Sequence, residues 1–374
     1  MNIPVPSGEY AVGTFTYTVW NDRPEALYPS RMRSVASRVY YPVPKDRVNG
    51  CARAKCMSRN MAAGIRKAFR IPLNYDKMEA AGENTSQCYA DAPRPDGEKY
   101  PLIMFNHGMM SYREGNSFLC IELASHGYVV ISVAHALDGI CTEFDDGSFV
   151  PYDRSITKKL YQPFIGGMVA ALRLTRSKGT AEELAEKFDV LQDKYCGFMQ
   201  SRLEEWVKDT QASLKYAKEH LSGMIDFEKG IGAAGHSFGG DTAYKLCADA
   251  PEYVCGVNID GAPFGNRRDT VQRRPFMQIS CRANEKVAAG IYLKHEQPVW
   301  KVLFRDMNHV GFSDMKHRIR FASMTGKLAP DVMHENLCKC HLEFFDAYLK
   351  RVKSEPDIKS SEVITVTRFE SDMQ

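Results

Sequence analysis

At 374 residues, 44% of them hydrophobic, the chain is long enough to bury a large core as one domain carrying insertions. Its 49 Lys and Arg nearly balance 46 Asp and Glu, with no basic tail and no zinc-finger or RNA-binding signature, which argues against a nucleic-acid partner. No apolar run approaches the roughly 18 residues of a membrane span, and the opening Met-Asn-Ile-Pro-Val-Pro-Ser-Gly lacks the basic and apolar regions of a signal peptide, so a cytoplasmic location is expected.

In chain order, Tyr10 to Tyr17 and Ser37 to Tyr41 alternate like an antiparallel pair at a sheet edge. Residues 51–70 then carry Arg53, Lys55, Arg59, Arg66, Lys67 and Arg70 without an acid, beside Met57, Met61, Ile65 and Phe69 at near-helical spacing. This reads as a cap helix with a solvated basic face; the sharper alternative is weak contact with an anionic lipid surface or guidance of an acidic substrate. Tyr100–Asn106 and Tyr128–Val133 are continuous apolar runs, the mark of strands buried on both faces, with a helical pattern from Ser117 to His126 between them.

Residues 156–198 hold one or two helices, with Leu184, Phe188, Leu191 and Tyr195 forming a stripe. A longer helix, Arg202 to Leu221, places Leu203, Trp206, Thr210, Leu214, Ala217 and Leu221 on one face. Further strands are expected at Gly230–Ala234, Val254–Ile259, Pro275–Cys281 and Val299–Phe304. Strands alternating with helices predict an α/β fold with a mostly parallel central sheet and helices on both faces. The segments around 51–95 and 156–198 read as cap insertions into one domain spanning residues 1–374.

The eleven cysteines are scattered, and Cys120, Cys247, Cys255 and Cys281 lie within apolar runs, as reduced buried thiols do. Cys338-Lys-Cys340-His341 falls in a helix expected from Met333 to Val352, where two residues of separation turn the cysteines to different sides. Core packing therefore fits this cluster better than a metal site, and Cys51-x4-Cys56 reads the same way. Neither a metal nor a cofactor is expected.

Gly235-His236-Ser237-Phe238-Gly239 sits between an expected strand and an expected helix. Its two glycines permit a turn tight enough to lift the Ser237 hydroxyl above the sheet edge. A serine hydroxyl becomes a nucleophile only when a histidine accepts its proton and an acid orients that histidine. After Ser237 the next strand delivers Asp260, and the last apparent strand leads to His309, each on a strand-end loop in the order serine, acid, histidine. Glu285, after the strand ending at Cys281, is the competing acid. His317 competes with His309 but lies in a Lys-His-Arg-Ile-Arg run that reads as a solvated helix face. The N–H groups of Phe238 and of Met109, in the loop after Asn106, are the expected oxyanion donors. His107 is read as a brace for that loop and His135 as a satisfied structural histidine.

Three stretches resemble the platelet-activating-factor acetylhydrolase family of α/β-hydrolases. These are Pro6–Gly13, Phe105–Met109 with Glu122–Val130, and Gly235–Gly240. The spacing of Asp260 from Ser237, and His309-Val-Gly-Phe-Ser-Asp314, are similar to the family's pattern. The resemblance implies the α/β-hydrolase fold and metal-independent hydrolysis of short or oxidised acyl esters, with a small-molecule, phospholipid-like ester as substrate. It does not extend to residues 51–95 or 156–198, where the acyl and leaving-group pockets are shaped. Amide or general small-ester hydrolysis on the same residues, or a non-catalytic binding role, are the alternatives.

Overall fold

Alternating apolar residues build a long antiparallel hairpin near the start of the chain, β1 (Ala11–Glu25) with β2 (Tyr28–Val43), in the computed structural model of the protein. The structure describes residues 3–70, 73–161, 164–264, 270–318 and 321–371. The chain divides into two compact units, residues 1–153 with 209–229, and residues 154–208 with 230–374.

In the first unit, β3 (Arg53–Lys55), β4 (Thr85–Ala90), β5 (Leu102–Asn106) and β6 (Val129–Val133) join the hairpin in the order β5-β6-β2-β1-β4-β3. β5 and β6 pair in parallel, Leu102 against Val129, and every residue of both is buried, as their continuous apolar runs require. A small ribbon, β7 (Cys141–Glu143) with β8 (Phe149–Pro151), completes the strands of this unit.

The hairpin extends well past the alternating stretch seen in the sequence. Its far end is polar, and the pattern of alternation fails there, yet Arg33 is almost wholly buried. The guanidinium is held by Glu25 and Asp209, with Nη1 and Nη2 each 2.5 Å from a carboxylate oxygen. Ion pairing, rather than apolar packing, holds Glu25 and Arg33 inside at a hairpin end that is otherwise mostly exposed.

Three helices belong to the same unit: α1 (Arg59–Phe69), α2 (Tyr75–Ala80) and α3 (Ser117–Ser125). Ser58 caps α1 by accepting the Met61 N–H, and Asn74 caps α2 by accepting that of Lys77. Met57, Met61 and Ile65 pack with Met78, Tyr112 and Ile140 in one buried cluster. The apolar side of α1 is thus largely consumed inside the protein, while Arg59, Ala63, Arg66 and Lys67 face solvent. The expected place of Phe69 on that stripe lies outside the described side chains.

In the second unit, β9 (Ile231–His236), β10 (Tyr253–Ile259), β11 (Phe276–Cys281) and β12 (Val299–Phe304) lie side by side in parallel, and β13 (Ile364–Phe369) closes the edge antiparallel to β12. Three helices, not one or two, fill the expected cap segment: α4 (Arg154–Tyr161), α5 (Phe164–Arg176) and α6 (Ala181–Tyr195). Thr180 and Glu183 form a capping box that starts α6. α7 (Gly197–His220) contributes to both units, and Leu203, Trp206, Thr210, Leu214, Ala217 and Leu221 are all buried as its stripe predicts.

α8 (Phe238–Asp249) links β9 to β10, and the short α9 (Met315–Arg318) and α10 (Ala322–Thr325) follow β12. The expected solvated face at α9 is a correction: Lys316 is buried, and its Nζ donates to the Gly326 carbonyl at 2.7 Å. The turn around Thr325 covers it, a tertiary contact that a charge pattern does not reveal.

α11 (Pro330–Phe345) runs into a π turn at Asp346–Lys350. Cys338, Cys340 and His341 are all buried there, and His341 Nδ1–H donates to the Leu337 carbonyl at 2.7 Å. Both cysteines therefore lie in the core, on different sides of a helix that is buried around both, as the core-packing reading expects. All eleven cysteines are free thiols, ten of them buried. Among the described residues no helix is long and apolar enough to cross a membrane.

Candidate active site

The turn from β9 into α8 is where the chain is most tightly constrained. Ser237 adopts φ 58° and ψ −122°, a left-handed backbone that an L-residue holds only when its surroundings enforce it. Its N–H donates to the Ile259 carbonyl at 2.7 Å, while its own carbonyl accepts the N–H groups of Gly240 and Asp241. A Cβ on Gly235 would lie 2.2 Å from the Gly239 backbone, so this turn closes only with glycine there. Phe238 begins α8, and its N–H belongs to the first helical turn, where no preceding carbonyl of the helix can accept it.

The β10 strand ends on Asp260, also left-handed at φ 59°. Its carboxylate is fully buried and well supplied with donors. Oδ1 accepts the Cys281 N–H at 2.7 Å; Oδ2 accepts Asn284 Nδ2 at 2.8 Å and His309 Nδ1–H at 2.7 Å. The Cys281 thiol lies 3.3 Å from Oδ2, and burial, reinforced by the Asp260 charge, pushes it up to about 12. Burying a carboxylate is costly without partners, and these contacts offset the cost.

His309 stands on the loop after β12. Its Nε2 lies 2.9 Å from Ser237 Oγ, and its side chain is 40% exposed. Since the Asp260 carboxylate can only accept, Nδ1 carries the imidazole proton and Nε2 is free to take the serine proton. His236 Nε2–H holds the loop by donating to the His309 carbonyl at 3.0 Å, with the two rings 5.0 Å apart.

Ser237, His309 and Asp260 are thus brought into one hydrogen-bonded line. Glu285 is not part of it: its carboxylate pairs with Lys301 Nζ at 2.5 Å. His317 belongs to α9, where burial and the neighbouring His334 lower it to about 4. Met109 lies after β5 in the first unit. Its loop is pinned by the Met110 N–H, donated to Asp138 O at 2.9 Å, and by His107, whose Nδ1–H donates to Gly108 O at 2.7 Å. His107 Nε2 accepts the His135 N–H at 3.3 Å, and burial, with His135 beside it, lowers His107 to about 3. It is a neutral brace.

Sequence reasoning missed Asn284, Cys281 and His236. The last is the variable residue of the Gly-x-Ser-x-Gly turn itself. Helices α5 and α6, the segment expected to be a cap, pack beside the site. Leu174, Leu184, Phe188 and Leu191 pack with Ala262 and Phe264, just beyond Asp260, and with Val287 and Ala289 beyond Asn284. Phe264 stands 5.8 Å from Phe188 and 6.4 Å from Phe238, which in turn packs edge-on against Trp206 at 4.9 Å.

Residues 1–288 match the family described as platelet-activating factor acetylhydrolase, isoform II. The chain belongs to this family. Relatives named platelet-activating factor acetylhydrolase include those of Canis lupus familiaris (27% identical, matching 69% of this chain and 54% of that protein) and Cavia porcellus (25%, 93% and 78%). The Bos taurus protein is 29% identical over 73% of this chain and 58% of its own length, so the chain spans little more than half of several acetylhydrolase relatives. A solved structure, a ferulic acid esterase from Streptomyces cinnamoneus, superposes with a TM-score of 0.70 over 98% of both chains at 18% identity. At that identity the likeness shows the fold alone, an α/β-hydrolase fold shared by an esterase and this acetylhydrolase-family chain.

Proposed function

We propose that the protein is a serine carboxylic-ester hydrolase that works through an acyl-enzyme on short-acyl or oxidised phospholipid-like esters. The observation that carries this reading is the line Ser237 Oγ, His309 Nε2, His309 Nδ1, Asp260 Oδ2, with gaps of 2.9 and 2.7 Å, in a chain of the acetylhydrolase family. Ser237 Oγ attacks the ester carbonyl carbon as His309 Nε2 takes its proton, and Asp260 orients the imidazole and stabilises its charged form. The Phe238 N–H, in the first turn of α8, receives the tetrahedral oxyanion. The carbonyl–alkoxy bond then breaks, and the leaving alcohol takes the proton from His309. Water, deprotonated by the same nitrogen, releases the carboxylic acid and restores the Ser237 hydroxyl.

Substrate choice falls to the cap. The apolar wall of Phe188, Phe264 and Phe238 suits a short acyl chain better than a polar one. Contact with an anionic lipid surface would be electrostatic, through Arg66 and Lys67, because Met57, Met61 and Ile65 are already buried. The test is a p-nitrophenyl ester series from acetate to octanoate, run on the protein and on Ser237→Ala. Turnover that declines with acyl length and vanishes in the variant supports the reading. Equal turnover in the variant, or none in either protein, contradicts it.

A further inference from the structure

The first unit contains a cavity of about 320 Å³ whose lining includes Arg38, Arg113, Glu114, Glu143, Lys55 and Arg59. Arg38 and Arg113 share one carboxylate. Arg38 Nη1 donates to Glu114 Oε1 at 3.3 Å, and Arg113 Nε donates to the same oxygen at 2.7 Å. Their other bonds are to neutral groups, Arg38 Nε to Thr14 Oγ1 at 3.0 Å and Arg113 Nη1 to the Glu143 carbonyl at 2.9 Å. Among the described residues, the Nη2 group of each guanidinium has no acceptor. Two largely buried cations, with side chains 13% and 10% exposed, thus share the Glu114 carboxylate; Glu143 is the second acid of a lining that carries four cations, and each guanidinium keeps donors to spare.

The start of α1 adds to the same imbalance. Helix N-termini favour acids, yet the first turn of α1 has none and begins with Arg59, with Lys55 a few residues earlier. Lys55 and Arg59 reach Glu79 and Asp76, but these pairs lie at the surface, with the cationic side chains 60% and 65% exposed, and solvent screens them. A helix N-terminus, two guanidiniums with free donors and two cations paired at the surface surround one polar hollow.

We propose that this cavity binds a phosphoryl group, as a phosphate monoester or diester, at a site separate from the triad. A phosphate offers enough oxygens to meet both Nη2 groups and the helix N–H groups together, which a carboxylate does not. Met57 and Met61 line the same hollow and give a small carbon moiety somewhere apolar to lie. Every lining residue belongs to the first unit, and Ser237, Asp260 and His309 belong to the second, so the proposal stands apart from the esterase reading.

The test is calorimetry and thermal unfolding of the full chain with inorganic phosphate, with glycerophosphocholine, and with vesicles of phosphatidylcholine containing or lacking phosphatidylglycerol. Chloride at matched ionic strength is the control. Saturable binding of inorganic phosphate or glycerophosphocholine, weakened about tenfold or more by Arg113→Gln, supports a soluble phosphate ligand. Binding confined to the anionic vesicles, and weakened by the same change, assigns the site to a lipid headgroup. Because Arg113 is buried, Arg59→Gln at the exposed rim repeats the measurement without risk to the core. It should weaken binding while leaving ester hydrolysis unchanged. No saturable binding beyond the chloride control, or binding unaltered by both substitutions, overturns the proposal.

Discussion

His135 and His309 each hold an aspartate through Nδ1, at 2.9 and 2.7 Å, yet their surroundings assign them opposite work. His135 is wholly buried, with its Nε2 against the Asn106 amide at 3.0 Å and its Asp209 already claimed by Arg33 and Arg23. His309 is 40% exposed, and its Nε2 meets a hydroxyl on a strained turn. A histidine–aspartate pair is therefore not a reactive device in itself. The third partner and access to solvent separate a strut from a proton carrier.

Asp260→Asn is the largest way to break that contrast. It should lower kcat by about 10⁴-fold, as loss of the orienting acid does in such triads, while Glu285→Gln stays within a few-fold of the parent protein. A large loss in Glu285→Gln with Asp260→Asn unaffected would reassign the acid. Asp209→Asn should act on stability instead. Removing the shared partner of Arg33, Arg23 and His135 leaves buried charge unpaired, at a cost of about 3–5 kcal/mol in urea unfolding. The folded fraction should keep its kcat; loss of kcat at unchanged stability would contradict the division of labour.

Acid offers a milder probe. His107 and His341 are buried and sit at about 3 and about 4, below the ordinary value of 6.5. Between those values the unfolded chain binds protons that the folded chain refuses. Their contribution is complete above pH 6.5 and falls away as pH drops toward 4, by up to about 1.4 kcal/mol per pH unit for each histidine. Burial alone would raise Asp209, but Arg33 and His135 outweigh it and hold the carboxylate far below its ordinary value of 3.8, so its contribution is lost only below that pH. Unfolding midpoints measured from pH 7 to pH 4 should decline, with a shallower slope in His341→Gln. The smallest effect is expected for Asn284→Ala, which removes one bond to the Asp260 carboxylate and should cost about tenfold in kcat.

Much of this site could be read from the chain, because a buried parallel strand announces itself as an apolar run and the residue at its end is then known. That logic reached Ser237, Asp260 and His309. It did not reach Asn284 or Cys281, whose place beside Asp260 follows from the pairing of β10 with β11, Ile259 against Ile279, a neighbour relation absent from one linear sequence. Lys316 was misread for a related reason: it is covered by a turn that lies distant in the pattern although near in the fold. The far end of the β1–β2 hairpin went unseen because the ion pairs of Arg33 with Glu25 and Asp209, not alternation, anchor it. The basic stretch showed its charge but not that Tyr112 and Ile140 would take up its apolar side.

The most direct test of the account is reaction of the intact protein with a fluorophosphonate, followed by peptide mass mapping. A single adduct is expected on Ser237, formed in step with loss of ester hydrolysis, and no adduct in Ser237→Ala. Labelling that persists in the variant, or an adduct on another residue that accompanies the loss of activity, would contradict it.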